Sequence, residues 1–122
     1  MVNNYFLDTY ALFEIVEGNP NYKTFTKGHL ATTRMNLLEL HYGLLLRKGK
    51  VTANYWFSYF RPLCISFSDV TLQEASAFRL VHKKANVSFI DALGYAIARR
   101  RGAKFLTGDQ AFKDLPNVEF VR

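Results

Sequence analysis

The stretch Lys104-Phe105-Leu106-Thr107-Gly108-Asp109 decides the fold. It reads as a short strand over Lys104 to Thr107, broken by a glycine and closed by an acid. The N-terminus repeats the pattern. Residues 3–7 predict a buried strand that ends at Asp8, and Thr9 to Glu17 a helix closed by Gly18-Asn19-Pro20. Further along, residues 20–28 predict a short helix with Pro20 in its first turn. His29 to Thr33 is expected as a strand, Met35 to Lys48 as a helix stopped by Gly49, and Thr52 to Arg61 as a helix ended by Pro62. Leu63 to Phe67 reads as a strand, Thr71 to Lys84 as a helix, and Ser88 as the cap of a helix that runs into Arg99-Arg100-Arg101 and Gly102. A helical turn from Gln110 to Leu115 and a strand from Val118 to Val121 close the chain. Alternating strands and helices predict an α/β fold, a three-layer α/β/α sandwich with a mainly parallel central sheet. In such sheets the functional crevice lies beyond the carboxyl ends of the strands, where Asp8 and Asp109 fall.

The 122 residues suffice for a single domain, 1–122, with a real core. At 49% apolar and 21% charged residues the composition is that of an ordinary globular chain, so disorder is not expected. The net charge of +6, from sixteen Lys and Arg against ten acids, favours a polyanionic or acidic partner. A lone cysteine, Cys64, rules out an intrachain disulfide and fits a reducing cytoplasm. Its neighbours Leu63, Ile65 and Phe67 suggest a packed thiol rather than a nucleophile. The Met-Val-Asn-Asn start does not read as a signal peptide, and no run approaches the ~20 apolar residues of a membrane helix. No glycine-rich phosphate loop occurs, and His29, His41 and His82 show no metal spacing; His41 and His82 read as ordinary surface or boundary residues on helices.

Four acids stand in or beside apolar runs: Asp8 after Tyr5-Phe6-Leu7, Glu39 within Asn36-Leu37-Leu38-Glu39-Leu40, Asp91 after Phe89-Ile90, and Asp109. Carboxylates are tolerated near a core when paired, hydrogen-bonded or metal-bound. Asp8 and Asp109 are each explained equally well as helix N-caps, and Asp91 as the distal half of a capping box with Ser88. Glu39 has no such explanation. On the helix wheel it flanks an apolar face of Met35, Leu38, Tyr42, Leu45 and Leu46, which reads as core-directed. Asp91 shares a stripe with Gly94 and Ala98, expected beside a shallow cleft, with Phe89, Leu93, Ala96 and Ile97 facing the core. Helix packing is the plain alternative for that stripe. Four converging carboxylates would repel strongly without a counterion. An all-oxygen set suits Mg²⁺ or Mn²⁺, which activates water and stabilises charge on a phosphodiester.

In order and spacing, Tyr5-Phe6-Leu7-Asp8-Thr9, the Glu39 segment, Ser88-Phe89-Ile90-Asp91-Ala92-Leu93 and Leu106-Thr107-Gly108-Asp109-Gln110-Ala111-Phe112 resemble the PIN-domain ribonucleases, and among them the small VapC-like toxins of toxin–antitoxin pairs. The resemblance is thinnest over residues 50–85. It implies a Mg²⁺- or Mn²⁺-dependent endoribonuclease with Asp8, Glu39, Asp91 and Asp109 as catalytic metal ligands, supported by Thr9 and Thr107. It also implies a homodimer and a small cognate antitoxin. Asp114 is either an outer acid or the local counter-charge of Lys113. Arg34 is a candidate contact for substrate or for an antitoxin carboxylate, and Arg99-Arg100-Arg101 suits the helix dipole. Two rivals remain: a catalytically idle PIN fold serving RNA binding or assembly, and a receiver-like signalling domain. The latter would want paired acids after the first strand, where only Asp8 stands.

Overall fold

The computed structural model describes residues 3–122. Four strands form one parallel sheet: β1 (Asn4–Leu7), β2 (His29–Ala31), β3 (Lys104–Thr107) and β4 (Val118–Phe120), in the order β2-β1-β3-β4. The helices are α1 (Thr9–Val16), α2 (Arg34–Lys48), α3 (Lys50–Phe60), α4 (Asp69–Val81) and α5 (Phe89–Arg101). A 3₁₀ segment over Pro20–Lys27 replaces the short helix expected there.

Strand alternation builds the three layers. Tyr5, Leu7 and Leu106 point to one face and pack with Leu12 of α1, Leu37, Leu40 and Leu44 of α2, and Ala53 and Phe60 of α3. Phe6 and Phe105 point to the other face and pack with Ala75 of α4, Leu93 and Ile97 of α5, and Phe112. The chain leaves β1 for β2 on one side, then returns past it to β3 on the other. The carboxyl ends of β1 and β3 are thus adjacent at the point where the connections part, the standard place for a crevice in an open parallel sheet.

Four expectations are corrected. Leu63 to Phe67 is not a strand. It contributes one bridge, Thr32 to Cys64, with Thr32 N–H donating to Leu63 and Ile65 N–H to Thr32. Between Pro62 and the Ser68 cap of α4 the segment makes this one bridge and no longer ladder. On α2 the supposed core face is the solvent face: Leu38 is 57% and Leu46 71% exposed, while Leu37, Leu40 and Leu44 are fully buried. The helix carries two apolar stripes, and the one that is pure leucine takes the sheet. On α5 the small stripe is a packing stripe. A Cβ on Gly94 would stand 2.7 Å from Cε1 of Phe6, so the helix lies directly on the sheet there. Phe89, expected inside, is exposed and lies under the Arg79 guanidinium.

Candidate active site at the carboxyl ends of the central strands

Asp8 occupies the N-cap position of α1, yet its side chain caps nothing. It is buried, with its Oδ2 accepting from the Thr107 hydroxyl at 2.6 Å and its Oδ1 without a partner among the described residues. The backbone explains the burial. β1 and β3 are hydrogen-bonded neighbours with Leu7 beside Leu106, and Asp8 N–H donates to the Leu106 carbonyl. The first residue past one strand is therefore held against the last residue of the other. Burial, then the charge of Asp91 and to a lesser degree that of Asp109, pushes the Asp8 carboxyl up to about 8, against the opposing Thr107 hydrogen bond.

The other acids arrive from separate elements. Asp109 follows β3. Its N–H donates to the Thr107 hydroxyl at 3.1 Å, and its Oδ1 accepts from Ala111 N–H at 3.0 Å. Asp91 stands in the first turn of α5 and closes a capping box with Ser88, its Oδ2 accepting from Ser88 N–H at 3.1 Å. Burial raises its pKa, and so does the charge of Asp109. Glu39, one turn into α2, accepts at Oε1 from the Thr9 hydroxyl at 2.6 Å. Burial raises its pKa too, with a smaller contribution from Asp91. Capping and convergence are therefore not alternatives. Asp91 and Asp109 each spend one oxygen on a cap and keep one free of the described residues.

A hydrogen-bonded chain absent from the sequence reading supports Glu39. Asn36, one turn before it, is buried, with Nδ2 donating to the Thr9 hydroxyl at 3.0 Å; the buried Thr33 hydroxyl donates to Asn36 Oδ1 at 2.6 Å. The signal was available: an amide three residues before an unexplained glutamate, inside a leucine run. Arg34 lies outside this network. It is exposed and lines a groove of about 1160 Å³ between α2, α3 and the Cys64–Phe67 segment, with Met35, His41, Phe57 and Arg61. None of the four acids lines that groove. Asp114 is exposed and makes no hydrogen bond to the described residues.

Whether this donor set fits a divalent cation turns on its chemistry. Among the described residues, no three His, Cys, Asp or Glu side chains stand close enough to enclose an ion as they sit. The buried, unpartnered Oδ1 of Asp8 nevertheless leaves a lone pair unmatched in an apolar setting, an arrangement native proteins avoid without a ligand. The neighbouring carboxylates are hard oxygen donors of the kind Mg²⁺ and Mn²⁺ take. Glu39, Asp91 and Asp109 are only part-buried, which leaves their side chains room to turn. The residues fit.

Residues 5–118 match the family model described as PIN domain. Among curated protein sequences none matches. Several solved structures share the fold. One, a toxin–antitoxin complex from Klebsiella pneumoniae, superposes with a TM-score of 0.73 at 19% identity, over 94% of this chain and 95% of that one. A VapBC2 structure from Rickettsia felis bound to a DNA fragment from their promoter gives 0.72 at 21% identity, covering 97% of each chain. PAE2754 from Pyrobaculum aerophilum gives 0.70 at 18% identity, over 99% of this chain and 92% of that one.

Proposed function

Since the chain belongs to the PIN domain family, we propose that it is a Mg²⁺- or Mn²⁺-dependent endoribonuclease and the toxin member of a toxin–antitoxin pair. The observation that carries this is Asp8. A buried carboxylate with one orphaned oxygen, ringed by the charges of Asp91 and Asp109 at the strand switch point, is expensive for the fold and has no structural return. A divalent cation bound there would offset that charge, activate a water for attack on phosphorus and stabilise the departing oxygen. Each residue then has a task. Asp8 supplies Oδ1 while Thr107 fixes its carboxylate plane through Oδ2. Glu39 supplies the oxygen that Thr9 leaves free. Asp91 and Asp109 supply the oxygens not used by Ser88 and Ala111. The net charge of +6 draws a polyanion toward this acidic centre.

An antitoxin partner is supported by the names of the two toxin–antitoxin structures that share the fold. A homodimer is supported by the apolar solvent face of α2 and α3, where Leu38, Leu46, Val51 and Tyr55 are exposed. No helix among the described residues is long and apolar enough to cross a membrane. With its single free thiol, the chain suits a cytoplasmic setting. The family match removes the receiver-like reading. The idle-module reading predicts no turnover. Incubation of the purified protein with a panel of structured RNAs, with Mg²⁺ or Mn²⁺ and with EDTA, tests the proposal. Cleavage is expected only with the metal, and only from wild type, not from Asp8→Asn. Cleavage that survives EDTA or the substitution overturns the metal-nuclease reading, and no cleavage of any RNA favours the idle module.

A further inference from the structure

We infer that Asn36 is a positioning residue that fixes, through Thr9, which way Glu39 faces and that it is held as a hydrogen-bond acceptor. The inference rests on the metal-nuclease reading for its purpose but on hydrogen-bond directions alone for its content. Those directions follow from one fixed point. The Glu39 carboxylate can only accept, and its Oε1 takes the single proton of the Thr9 hydroxyl at 2.6 Å. The Thr9 oxygen is then left to accept, and the Asn36 amide NH₂ donates to it at 3.0 Å. The Asn36 oxygen is thereby turned to Thr33, whose hydroxyl donates to it at 2.6 Å and accepts from the Asn36 backbone N–H at 3.2 Å. Every polarity in the chain is set from the Glu39 end.

Burial makes the device stiff. Thr33 is 0% and Asn36 1% exposed, so water cannot substitute for either partner. Thr33 is also the N-cap of α2, which ties the chain to the helix that carries Glu39. Without the Asn36 amide the Thr9 hydroxyl could rotate, and Glu39 would be free to turn its bonded oxygen away from α1. Outer-shell partners of this kind commonly change metal affinity by about tenfold or more.

The test is a double-substitution cycle read by Mn²⁺ affinity in titration calorimetry, with no RNA present. Asn36→Ala should weaken Mn²⁺ binding about tenfold and Thr9→Val at least as much. In the Thr9→Val background, adding Asn36→Ala should cost less than about twofold, because the relay is already cut. A second readout needs no metal: the carboxyl carbon resonance of Glu39 at fixed pH should move in the same direction in both single variants. Should Asn36→Ala fail to fold, Asn36→Ser, which retains a polar group but cannot span to Thr9, takes its place in both measurements. Effects that add in the double variant, or a Glu39 resonance that ignores Asn36, overturn the inference. Wild-type protein that binds no Mn²⁺ but shows the shared resonance shift overturns the metal reading and leaves the relay standing.

Discussion

Replacing Asp8 by asparagine should stabilise the metal-free protein, and more so as the pH rises. The folded protein holds the Asp8 carboxyl at about 8 against an ordinary 3.8, chiefly because it is buried and secondarily because Asp91 repels it. Between those values the folded chain keeps a proton that the unfolded chain has lost. Stability therefore falls as pH rises through the interval and levels off above about 8, at a slope of up to ~1.4 kcal/mol per unit. The full interval would set a ceiling of about 6 kcal/mol, but the repulsion is shared with Asp91 and Asp109, so about 2–3 kcal/mol is assigned to Asp8 itself. Asn removes the ionisation, still accepts from Thr107, and offers its NH₂ to the neighbouring carboxylates where Oδ1 had no partner. Urea unfolding in EDTA, followed by far-UV circular dichroism at pH 5.5 and 8.5, reads the difference. The two proteins should agree within about 1 kcal/mol at pH 5.5 and separate by about 2–3 kcal/mol at pH 8.5, with Asp8→Asn the more stable. Excess Mn²⁺ should close the gap by stabilising wild type alone. A variant less stable than wild type at pH 8.5, or a gap that does not change with pH, would refute the reasoning.

Thr107→Val removes a buried hydroxyl that donates to Asp8 and accepts from Asp109 N–H, so a loss of about 2–3 kcal/mol in urea unfolding is expected. Gly108→Ala puts a methyl group against the Tyr10 ring and the Val121 carbonyl; because one of these is backbone, the expected loss is at least about 2 kcal/mol, measured by thermal melting. Arg34→Ala, at an exposed site outside the acid network, should change stability by less than about 0.5 kcal/mol and leave Mn²⁺ affinity alone. If Arg34 meets an RNA phosphate, the log–log salt slope of RNA binding should fall by about 0.7; an unchanged slope excludes that contact.

Much of the fold was legible because local and global signals agree. Lys104 to Thr107 is a strand in the sequence and in the structure, and Ser88 and Asp91 form the capping box their spacing predicts. What was not legible depends on partners distant in sequence. The wheel of α2 shows two apolar stripes and cannot say which meets the sheet; only the packing of Leu37, Leu40 and Leu44 with Leu7, Leu12 and Leu106 decides it. Gly94 similarly looks like the floor of a cleft until Phe6 and Phe105 are placed beneath it. The four acids were visible one by one, yet the sequence offered a cap as an equal explanation for three. Asp8 lost that explanation only when its side chain proved to cap nothing.

That loss changes the argument for the site. A cap is stabilising by itself, so a capping acid needs no further purpose. Asp91 and Asp109 do cap, and taken alone they would carry little. Asp8 is held by two strands in a place where ionisation works against folding; the charges of Asp91 and Asp109 deepen the penalty, and the Thr107 hydrogen bond relieves only part of it. Glu39 is tied to the same neighbourhood by a buried relay of Thr33, Asn36 and Thr9. Buried polar networks of this kind are destabilising unless fully satisfied. Here the relay is satisfied down to Glu39, and among the described residues the buried side-chain atom without a partner is Asp8 Oδ1, the oxygen that the proposed cation would take. Among the described side chains the penalty is thus concentrated at one buried oxygen, the place where the proposed ligand would return the most stability.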